Sequence, residues 1–498
     1  MSVAFTETIF LVGLDGIRTQ VEVDVRRGMP SFKIVGLPTS VVEEARERVI
    51  AAIKNTGVEI GARKIVINLS PAEVPKRGSH AELPIAVALL KAMGVISHDF
   101  KDVLILGELA LDGKVRSSSS MFALLSQGVF LGFRYFIIPR DAQRFVDVFN
   151  DINYLAIEHL SEIIDGEISW QSSKGKINLR DNMQFKDFAD VKGQYLAKYG
   201  AMLAVAGMHN IVMIGSPGVG KTMIAERIVG IYPPMTEREI IEVTKIYSAT
   251  LGYSDIVNRR PFRHPHSNVS ASAMFGGGRY LQPGEVTLAH RGVLFIDEFP
   301  EFRRDVLEGL RTVVESRKVF ISKADIKVNF PADFLLVMAS NPCPCGYLGH
   351  SHKQCRCSVS DIKRYQRKFS GPLMQRMDIQ LWMTSPDLDQ GEDELTTDFM
   401  REKVMVAREI QEKRYKGFIY NGTAPDEIFL SKVNLTREAE NALIDIRHMG
   451  KNSGRELSKI IRVARTVADI SVSDRVTDDH VWTALSFRKA MDVMVRFW

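Results

Sequence analysis

A glycine-rich loop between an apolar run and an amphipathic segment is the feature that most constrains this fold. It follows the apolar run Ile211–Ile214. The loop reads Gly215, Ser216, Pro217, Gly218, Val219, Gly220, Lys221 and Thr222. Where such a loop joins a strand to a helix, its backbone N–H groups surround phosphates, and its glycines allow the close approach. Lys221 then offsets phosphate charge and the Thr222 hydroxyl binds Mg²⁺. The loop predicts an α/β fold with a site for ATP and Mg²⁺.

Two adjacent carboxylates follow a second apolar run. Asp297 and Glu298 come directly after Val293–Ile296. Because successive side chains of a strand point to opposite faces, we expect Asp297 to bind Mg²⁺ and Glu298 to polarise the attacking water. A third apolar run, Leu335–Ala339, leads to Asn341, which can position that water or sense the γ-phosphate. An Asn before a proline is also a common turn residue.

Arg376 is a candidate for stabilising negative charge during hydrolysis. It lies in the segment 370–378, after the cysteines, and we interpret it as an arginine finger that reaches the nucleotide of a neighbouring subunit. Such a finger raises the rate by about 10³–10⁵. Self-association would then be part of the mechanism. On spacing alone, the alternative is a surface arginine paired with Asp378.

The composition is that of an ordinary globular protein. Of 498 residues, 45% are hydrophobic and 25% are charged, and this length exceeds what one compact core normally reaches. The net charge of +5 permits contact with nucleic acid without favouring it. The first ten residues include Glu7 and lack a basic region, so we expect no secretory peptide. No apolar run is long enough for a transmembrane helix, which predicts a cytoplasmic protein without a membrane partner.

Changes in pattern along the chain predict a succession of domains. Amphipathic helices such as Thr39–Asn55 alternate with apolar runs in the first third, and strands alternate with helices after the linker. The predicted segments are an α+β domain at 1–165, a linker at 166–190, an α/β core at 191–386 with a cysteine-rich insert at 343–369, and a helical lid at 387–498.

The cysteines form a local cluster rather than a disulfide framework. All four lie within 15 residues, at Cys343, Cys345, Cys355 and Cys357. Four thiolates within reach of one tetrahedral ion predict a structural Zn²⁺. Because the spacing within each pair is short, His350 or His352 could replace one cysteine. The alternative is a set of buried or redox-active thiols without a metal. An ion would rigidify the loop that follows Asn341.

These motifs together resemble the YifB/ComM family of magnesium-chelatase-like AAA+ ATPases over nearly the whole chain. The segments that carry the resemblance are Phe32–Pro38, Ile67–Ala72, Pro75–Ser79, Gly107–Gly113, Arg260–His266, Asn341–Gly346 and Arg462–Asp469. A phosphate loop alone could not separate families, whereas this set can.

The resemblance implies a hexameric ring of the helix-2-insert clade. It implies an N-terminal domain shaped like the Lon protease domain, a P-loop AAA+ core and a helical lid. ComM-type members drive DNA branch migration during recombination. By the same resemblance, Val191 and Gln194 contact the adenine, Arg376 is the finger, and Arg455 is a second sensor in the chain's own nucleotide pocket. The sequence departs from the family pattern on either side of the finger, where Gln375 replaces the usual Asp and Met377 replaces the common Ile.

The N-terminal domain is predicted to lack protease activity. A Lon-type site needs a serine activated by a lysine. Alignment places His80 at the nucleophile position and Ser79 one residue early, and residues 117–126 contain no lysine. We therefore expect a scaffold or DNA-binding collar. Ser79 paired with another base is the open alternative.

Candidate DNA contacts lie in three places. The segment after the cysteines contains Lys363, Arg364, Arg367 and Lys368, which suits phosphate contact but equally a solvated helix face. Lys323, on the hairpin-like segment Val319–Phe330, matches the pore hairpin that the resemblance implies. Arg279 and Tyr280 follow three glycines and correspond to the helix-2 insert, although glycines there also suit a simple turn.

The sequence therefore predicts an ATP-driven motor that acts on single-stranded or branched DNA in homologous recombination or natural transformation. One alternative is a chelatase motor subunit that drives metal insertion into a porphyrin, which would need partner subunits. The other is a nucleotide-gated scaffold. Because Glu298, Asn341 and Arg376 are all present, the sequence disfavours a scaffold without hydrolysis.

Overall fold

The chain divides into two compact units. The computed structural model describes residues 2–166, 168–177, 185–278, 281–323, 326–350, 352–369, 373–385, 395–417, 419–449 and 454–488. The first unit comprises Met1–Asp181, Thr236–Asn258 and Arg279–Gln282, and the second comprises Asn182–Met235, Arg259–Gly278 and Pro283–Trp498. Within the described ranges no helix is both long and apolar enough to cross a bilayer.

Strands and helices alternate along both units. The strands are β1 Ser2–Val12, β2 Asp15–Arg27, β3 Ser31–Val35, β4 Arg63–Ser70, β5 Val103–Ile105, β6 Glu108–Leu109, β7 Val115–Arg116, β8 Tyr135–Pro139, β9 Asn153–Ile157, β10 Gln171–Ser172, β11 Ile211–Gly215, β12 Phe262–Arg263, β13 Gly276–Gly277, β14 Gln282–Pro283, β15 Val293–Ile296, β16 Lys318–Lys323, β17 Ile326–Pro331, β18 Leu335–Ser340 and β19 Ile379–Met383. The helices are α1 Ser40–Asn55, α2 Glu82–Ala92, α3 Met121–Phe130, α4 Gln143–Val146, α5 Ser161–Asp165, α6 Tyr195–Gly207, α7 Lys221–Arg227, α8 Glu237–Leu251, α9 Ala271–Phe275, α10 Glu285–Leu288, α11 Arg304–Ser316, α12 Val359–Gln366, α13 Thr397–Tyr415, α14 Asp426–Leu430, α15 Arg437–His448, α16 Gly454–Ile470 and α17 Asp478–Ser486.

The first unit is built on a mixed eight-stranded sheet with the order β10-β9-β8-β5-β1-β2-β4-β3. The long strands β1 and β2 form an antiparallel hairpin at its centre, and β1, β5, β8 and β9 run parallel in sequence across one half. Helix α1 buries the apolar face that its periodicity predicts, with Val42, Ala45, Val49 and Ile53 almost fully covered. The first unit therefore combines helices with a mixed sheet, and its likeness to the Lon protease domain stays a prediction.

Helix α8 belongs to the first unit, although the sequence placed it within the predicted core at 191–386. The Ser248 hydroxyl accepts a hydrogen bond from the backbone N–H of Ala123 in α3, at 3.4 Å. Ile241 packs against the same apolar cluster as Phe122. The periodicity of an amphipathic helix shows which of its faces is buried but not which element covers that face. The predicted core boundaries therefore differ from the compact units.

The second unit contains a parallel five-stranded sheet with the order β12-β15-β18-β11-β19. The register of every neighbouring pair is parallel. All residues of β11, β15 and β18 are buried, as expected for strands covered on both faces. The sequence predicts these three strands; it does not predict β12 or β19. The carboxyl ends of β11, β15 and β18 meet at one edge, which brings their following loops together.

The predicted lid at 387–498 shares one apolar core with the sheet of the second unit. Ile460, Val463 and Ala464 of α16 belong to the same buried cluster as Ile211 of β11 and Leu381 of β19. Arg408 of α13 donates to the carbonyl oxygen of Val205 at 2.7 Å. The helices after residue 395 are therefore part of the second unit and not a separate one.

Candidate nucleotide site

The phosphate loop connects β11 to α7. Gly218 and Gly220 have φ values of 83° and 97°, which only glycine adopts without strain, and nothing lies within 4 Å of a Cβ built at either position. The Lys221 ammonium donates to the carbonyl oxygens of Gly215 at 2.6 Å and Ser216 at 3.0 Å. In this structure, the Lys221 side chain is therefore bound to the backbone of its own loop.

The residues predicted to bind Mg²⁺ and water lie beside this loop. The Thr222 hydroxyl donates to Asp297 Oδ2 at 3.2 Å. Lys221 Nζ donates to Asn341 Oδ1 at 3.2 Å. Burial lowers the pKa of Lys221 to about 8, against the opposing fields of Asp297 and Glu298. The ends of three adjacent strands therefore present one cation, two carboxylates and an amide to a single place.

Glu298 follows Asp297 with a left-handed backbone, at φ 49°. Its N–H donates to Asp297 Oδ1 at 2.9 Å, which fixes the carboxylate that faces Thr222. A non-glycine residue with this backbone costs on the order of 1–3 kcal/mol and is typical of functional sites. The separate tasks expected of the two carboxylates stay a prediction.

The predicted adenine-contact residues also lie against the loop. Gln194 Nε2 donates to the carbonyl oxygens of Val219 at 3.0 Å and Thr384 at 2.7 Å. Val191 is buried in the same apolar cluster as Val219. Sequence analysis missed Arg227, which anchors this region to α7 by donating to Asp187 O at 2.6 Å. Arg227 could have been found from its position on α7, the helix that also carries Thr222 of the loop.

Arg376 does not pair with Asp378, which was the alternative reading of its spacing. Its guanidinium pairs with Glu315 of α11. Asp378 accepts instead from Lys459 Nζ at 2.5 Å. Although burial acts to raise it, Lys459 and His209 hold the pKa of the Asp378 carboxyl below its usual value. The charge of Arg376 is therefore balanced by an exposed glutamate that a phosphate could replace.

Arg455 lies beside Arg376 and away from the phosphate loop. Both arginines line a cavity of about 690 Å³ together with Lys459, Arg462, Asp378 and Asp426. No residue of the phosphate loop contributes to this lining. Among the described residues, the Arg455 side chain has no ion-pair partner. The first turn of α16 therefore places Arg455 beside the predicted finger, and its expected role in the chain's own nucleotide pocket stays a prediction.

The four cysteines lie together and could hold a metal ion. The Sγ atom of Cys343 lies 3.5 Å from that of Cys345 and 3.7 Å from that of Cys355, and all four sulfurs lie within 4.8 Å of one another. A tetrahedron of sulfurs around Zn²⁺ has edges of about 3.8 Å. Among the described residues this group consists of the four cysteines, and His350 Nδ1 accepts instead from the N–H of His352 at 3.0 Å. The donor set therefore fits Zn²⁺.

One thiol of the cluster is predisposed to ionise. Burial acts to raise the pKa of Cys345, but the backbone N–H groups of Tyr347 and Arg356 outweigh it and lower the pKa to about 6. A thiolate is the form that binds a metal. Burial raises the pKa of Cys343 and of Cys357, so the thiols of the cluster do not ionise alike.

The cysteine-rich insert packs against the phosphate loop. A Cβ built on Gly346, which has φ 83°, would lie 2.7 Å from Cδ of Pro217. From α12, the Tyr365 hydroxyl lies 3.2 Å from Ser340 Oγ, and Gln366 Nε2 donates to Pro342 O at 3.2 Å. The insert therefore contacts the site on both sides of Asn341.

The predicted DNA contacts do not form one patch. Lys323 Nζ donates to Gly278 O at 3.1 Å, and Arg364 pairs with Asp361 at 2.7 Å. Lys363 and Arg364 lie in α12, whereas Arg367 and Lys368 line a cavity of about 720 Å³. Arg279 and Tyr280 lie outside the described residues.

In the first unit, Ser79 has no lysine partner among the described residues. Its hydroxyl donates to Glu108 Oε2 at 2.6 Å. His80 lies in the core with Nε2 at 2.8 Å from Ile9 O, and burial lowers the pKa of His80 to about 4. Lys76 is buried and bonds to Pro71 O. The absence of a Ser–Lys pair here agrees with the predicted loss of protease activity, which stays a prediction.

The parallel sheet, the phosphate loop and the polar residues at three strand ends define a P-loop ATPase of the AAA+ kind. The chain is 36% identical to YifB of Escherichia coli K12, over 98% of this chain and 97% of that protein. It is 34% identical to competence protein ComM of Haemophilus influenzae, over 98% of each chain. The chain therefore belongs to the YifB/ComM family of magnesium-chelatase-like ATPases.

Three family descriptions match successive parts of the chain. Residues 187–390 match "Magnesium chelatase, subunit ChlI", residues 21–142 match "Subunit ChlI of Mg-chelatase", and residues 394–488 match "Magnesium chelatase, subunit ChlI C-terminal". A shorter similarity, 22% identity over 38% of this chain and 17% of the other, links it to DNA replication licensing factor MCM2 of Arabidopsis thaliana.

Proposed function

We propose that this chain is an ATP-hydrolysing motor that works as a hexameric ring on single-stranded or branched DNA. The observation that carries the proposal is the separation of hydrolysis residues into two places on one chain. The phosphate loop, Asp297 and Asn341 lie together, whereas Arg376 and Arg455 line a different cavity. A ring in which each subunit presents both arginines to its neighbour's nucleotide reunites the two sets.

The charge of the arginine cavity suits a nucleotide phosphate. Arg376, Arg455, Lys459 and Arg462 supply four cations. Arg376 pairs with the exposed Glu315, Lys459 with Asp378 and Arg462 with Asp426. Arg455 is exposed on the first turn of α16. Arg376 and Arg455 are therefore the cations that an incoming γ-phosphate would engage.

DNA as the substrate rests on relatives and on exposed cations. ComM is named as a competence protein and MCM2 as a DNA replication factor. The basic side chains of α12 and of the hairpin β16–β17 offer sequence-independent phosphate contacts. A role in homologous recombination or natural transformation follows from this reading.

The test compares ATP hydrolysis without DNA, with a single strand and with a branched duplex, and follows strand movement in parallel. We expect DNA to stimulate hydrolysis and the stimulation to fall steeply as salt rises. Arg376→Ala should abolish the stimulated rate, whereas Arg303→Ala, which removes an exposed arginine paired with Asp305, should not. Hydrolysis that ignores DNA, with no strand movement, would reject the DNA motor.

The second candidate is a motor subunit for metal insertion into a porphyrin. The three matching family descriptions, all naming magnesium chelatase, favour it. This function predicts ATP-dependent insertion of Mg²⁺ into a porphyrin once partner subunits are supplied. The same purified chain can be tested in both assays.

We further propose that the four cysteines bind one structural Zn²⁺. Elemental analysis of purified protein should find one zinc per chain. Cys343→Ser should lower that content, whereas His350→Ala should leave it unchanged, since His350 Nδ1 already accepts backbone N–H groups. Wild-type zinc content in Cys343→Ser would rule out this ligand set.

A further inference from the structure

The hairpin β16–β17 has an exposed face that the sequence did not single out. Direct cross-strand partners share a face of a two-stranded sheet, and the register pairs Phe320 with Asn329 and Ser322 with Lys327. Together with Lys318, two positions from Phe320, these residues form what we call the outward face. All five are exposed, and Phe320 retains 70% of its surface in contact with solvent.

The opposite face of the hairpin packs into the core. Val319, Val328 and Phe330 are buried there. Lys323 pairs with Ile326 on this same side, and its ammonium donates to Gly278 O at 3.1 Å. Lys323, the contact that the sequence favours, is therefore engaged with the protein, and the outward face is the free one.

The outward face combines one aromatic ring with unpaired positive charge. Lys318 lies two positions along the strand from Phe320, and Lys327 is its diagonal cross-strand neighbour, so both stand within about 7–8 Å of it. Among the described residues neither ammonium has an ion-pair partner. The five side chains include no carboxylate. Single exposed apolar side chains are common on protein surfaces, and what distinguishes this ring is the pair of lysines beside it.

Single-stranded nucleic acid supplies the complementary chemistry. Unpaired bases have flat apolar faces that stack on aromatic rings, and the phosphates between them attract cations on either side. Duplex DNA offers the phosphates but hides the faces of its bases. Two lysines on either side of the ring suit the regular spacing of phosphates along a strand.

We propose that the outward face binds single-stranded DNA, with Phe320 stacking on an unpaired base and Lys318 and Lys327 contacting the flanking phosphates. This rests on the proposed DNA function, narrows the bound form to a single strand and names the residues that contact it. Each subunit then binds the DNA strand through the bases of the strand as well as through its phosphates.

The test uses full-length protein and two strands of equal length, oligo-dT and a strand of abasic sites that keeps the phosphates but lacks bases. Phe320→Ala should weaken binding of oligo-dT about tenfold and leave the abasic strand unchanged. Phe320→Trp should restore binding, and oligo-dT should quench its fluorescence. Lys327→Ala should weaken both strands and reduce the salt slope by about 0.7.

Phe130→Ala is the matched control, because Phe130 is an equally bare phenylalanine, 81% exposed, on α3. It should bind both strands as the wild type does. Equal weakening of both strands by Phe320→Ala, or none, would overturn base stacking while wild-type binding still supports the DNA function. If the wild type hydrolyses ATP but binds neither strand, the DNA function itself fails, and this inference with it.

Discussion

At the residue scale, Lys221 is the most tightly surrounded cation of the site. Its ammonium donates to two carbonyl oxygens of its own loop and to Asn341 Oδ1. Desolvation by burial lowers its pKa to about 8. The phosphates of ATP would bring negative charge next to this buried ammonium and so favour its charged form. The protonation state of Lys221 is therefore coupled to nucleotide binding.

This environment makes nucleotide affinity depend on pH. A lysine with a lowered pKa is charged below pH 8 and loses its proton above it, and only the charged form attracts phosphate. We expect ATP affinity to fall as pH rises from 7 to 9.5, as measured by calorimetric titration. Lys221→Ala should bind weakly at every pH. A wild-type affinity that is constant over this range would contradict the assigned pKa.

Gly346 lies where the cysteine-rich insert packs against Pro217 of the phosphate loop. In Gly346→Ala the new Cβ would collide with Pro217, and we expect ATP binding to weaken about tenfold with a lower melting temperature. Gly57→Ala is a matched control, since Gly57 has φ 84° and nothing within 4 Å of its Cβ position. Both variants carry the same backbone strain of about 1–2 kcal/mol, but only the first should affect ATP. Equal ATP affinity in the two variants would refute this coupling.

At the element scale, helix α16 connects the arginine cavity to the sheet. It carries Arg455 on its first turn and Lys459 one turn later. Lys459 pairs with Asp378, which lies just before β19 and two residues after Arg376. The ion pair therefore links the helix that carries Arg455 to the segment that carries Arg376.

Breaking this pair should be costly because Asp378 is buried. Lys459→Met leaves a carboxylate without its cation and should lower the free energy of unfolding by about 3–5 kcal/mol in urea titrations. Adding Asp378→Asn removes that unpaired charge, so the double variant should be less destabilised than the sum of the single ones. Glu308→Gln breaks the exposed pair with Arg304 and should cost less than about 1 kcal/mol. Strict additivity would mean that the pair contributes nothing.

The elements that could be predicted from the sequence are those whose pattern is local. β11, β15 and β18 are unbroken apolar runs, and the loop after β11 has a spacing that only phosphate binding explains well. β12 contains two residues, too few for a periodic signal. The partner of α8 and the direction of Arg455 depend on contacts between distant segments, which no local pattern encodes.

For the cysteine cluster too, the sequence predicts the local arrangement but not the contacts with distant segments. Its spacing predicts that the sulfurs can meet, and the structure confirms that they do. The contact between Gly346 and Pro217 joins residues more than 120 positions apart, so the link between the insert and the phosphate loop could be found only in three dimensions.

At the scale of the whole molecule, the hydrolysis residues are divided between two places on each chain. Among the described residues, Arg376 and Arg455 line a cavity to which no residue of the phosphate loop contributes. In the proposed ring, ATP turnover would depend on contact between subunits. The specific activity of the protein should accordingly rise with its concentration.

Mixing two inactive variants tests this division most directly. Lys221→Ala keeps both arginines but loses its own nucleotide site, whereas Arg455→Ala keeps its phosphate loop. If Arg455 serves the neighbouring subunit, mixed rings contain competent interfaces, and ATP hydrolysis in the mixture should clearly exceed that of either variant alone. Arg376→Ala mixed with Lys221→Ala should be rescued in the same way. A mixture of Lys221→Ala and Arg455→Ala that stays as inactive as its components would place Arg455 in its own chain's pocket and contradict the account.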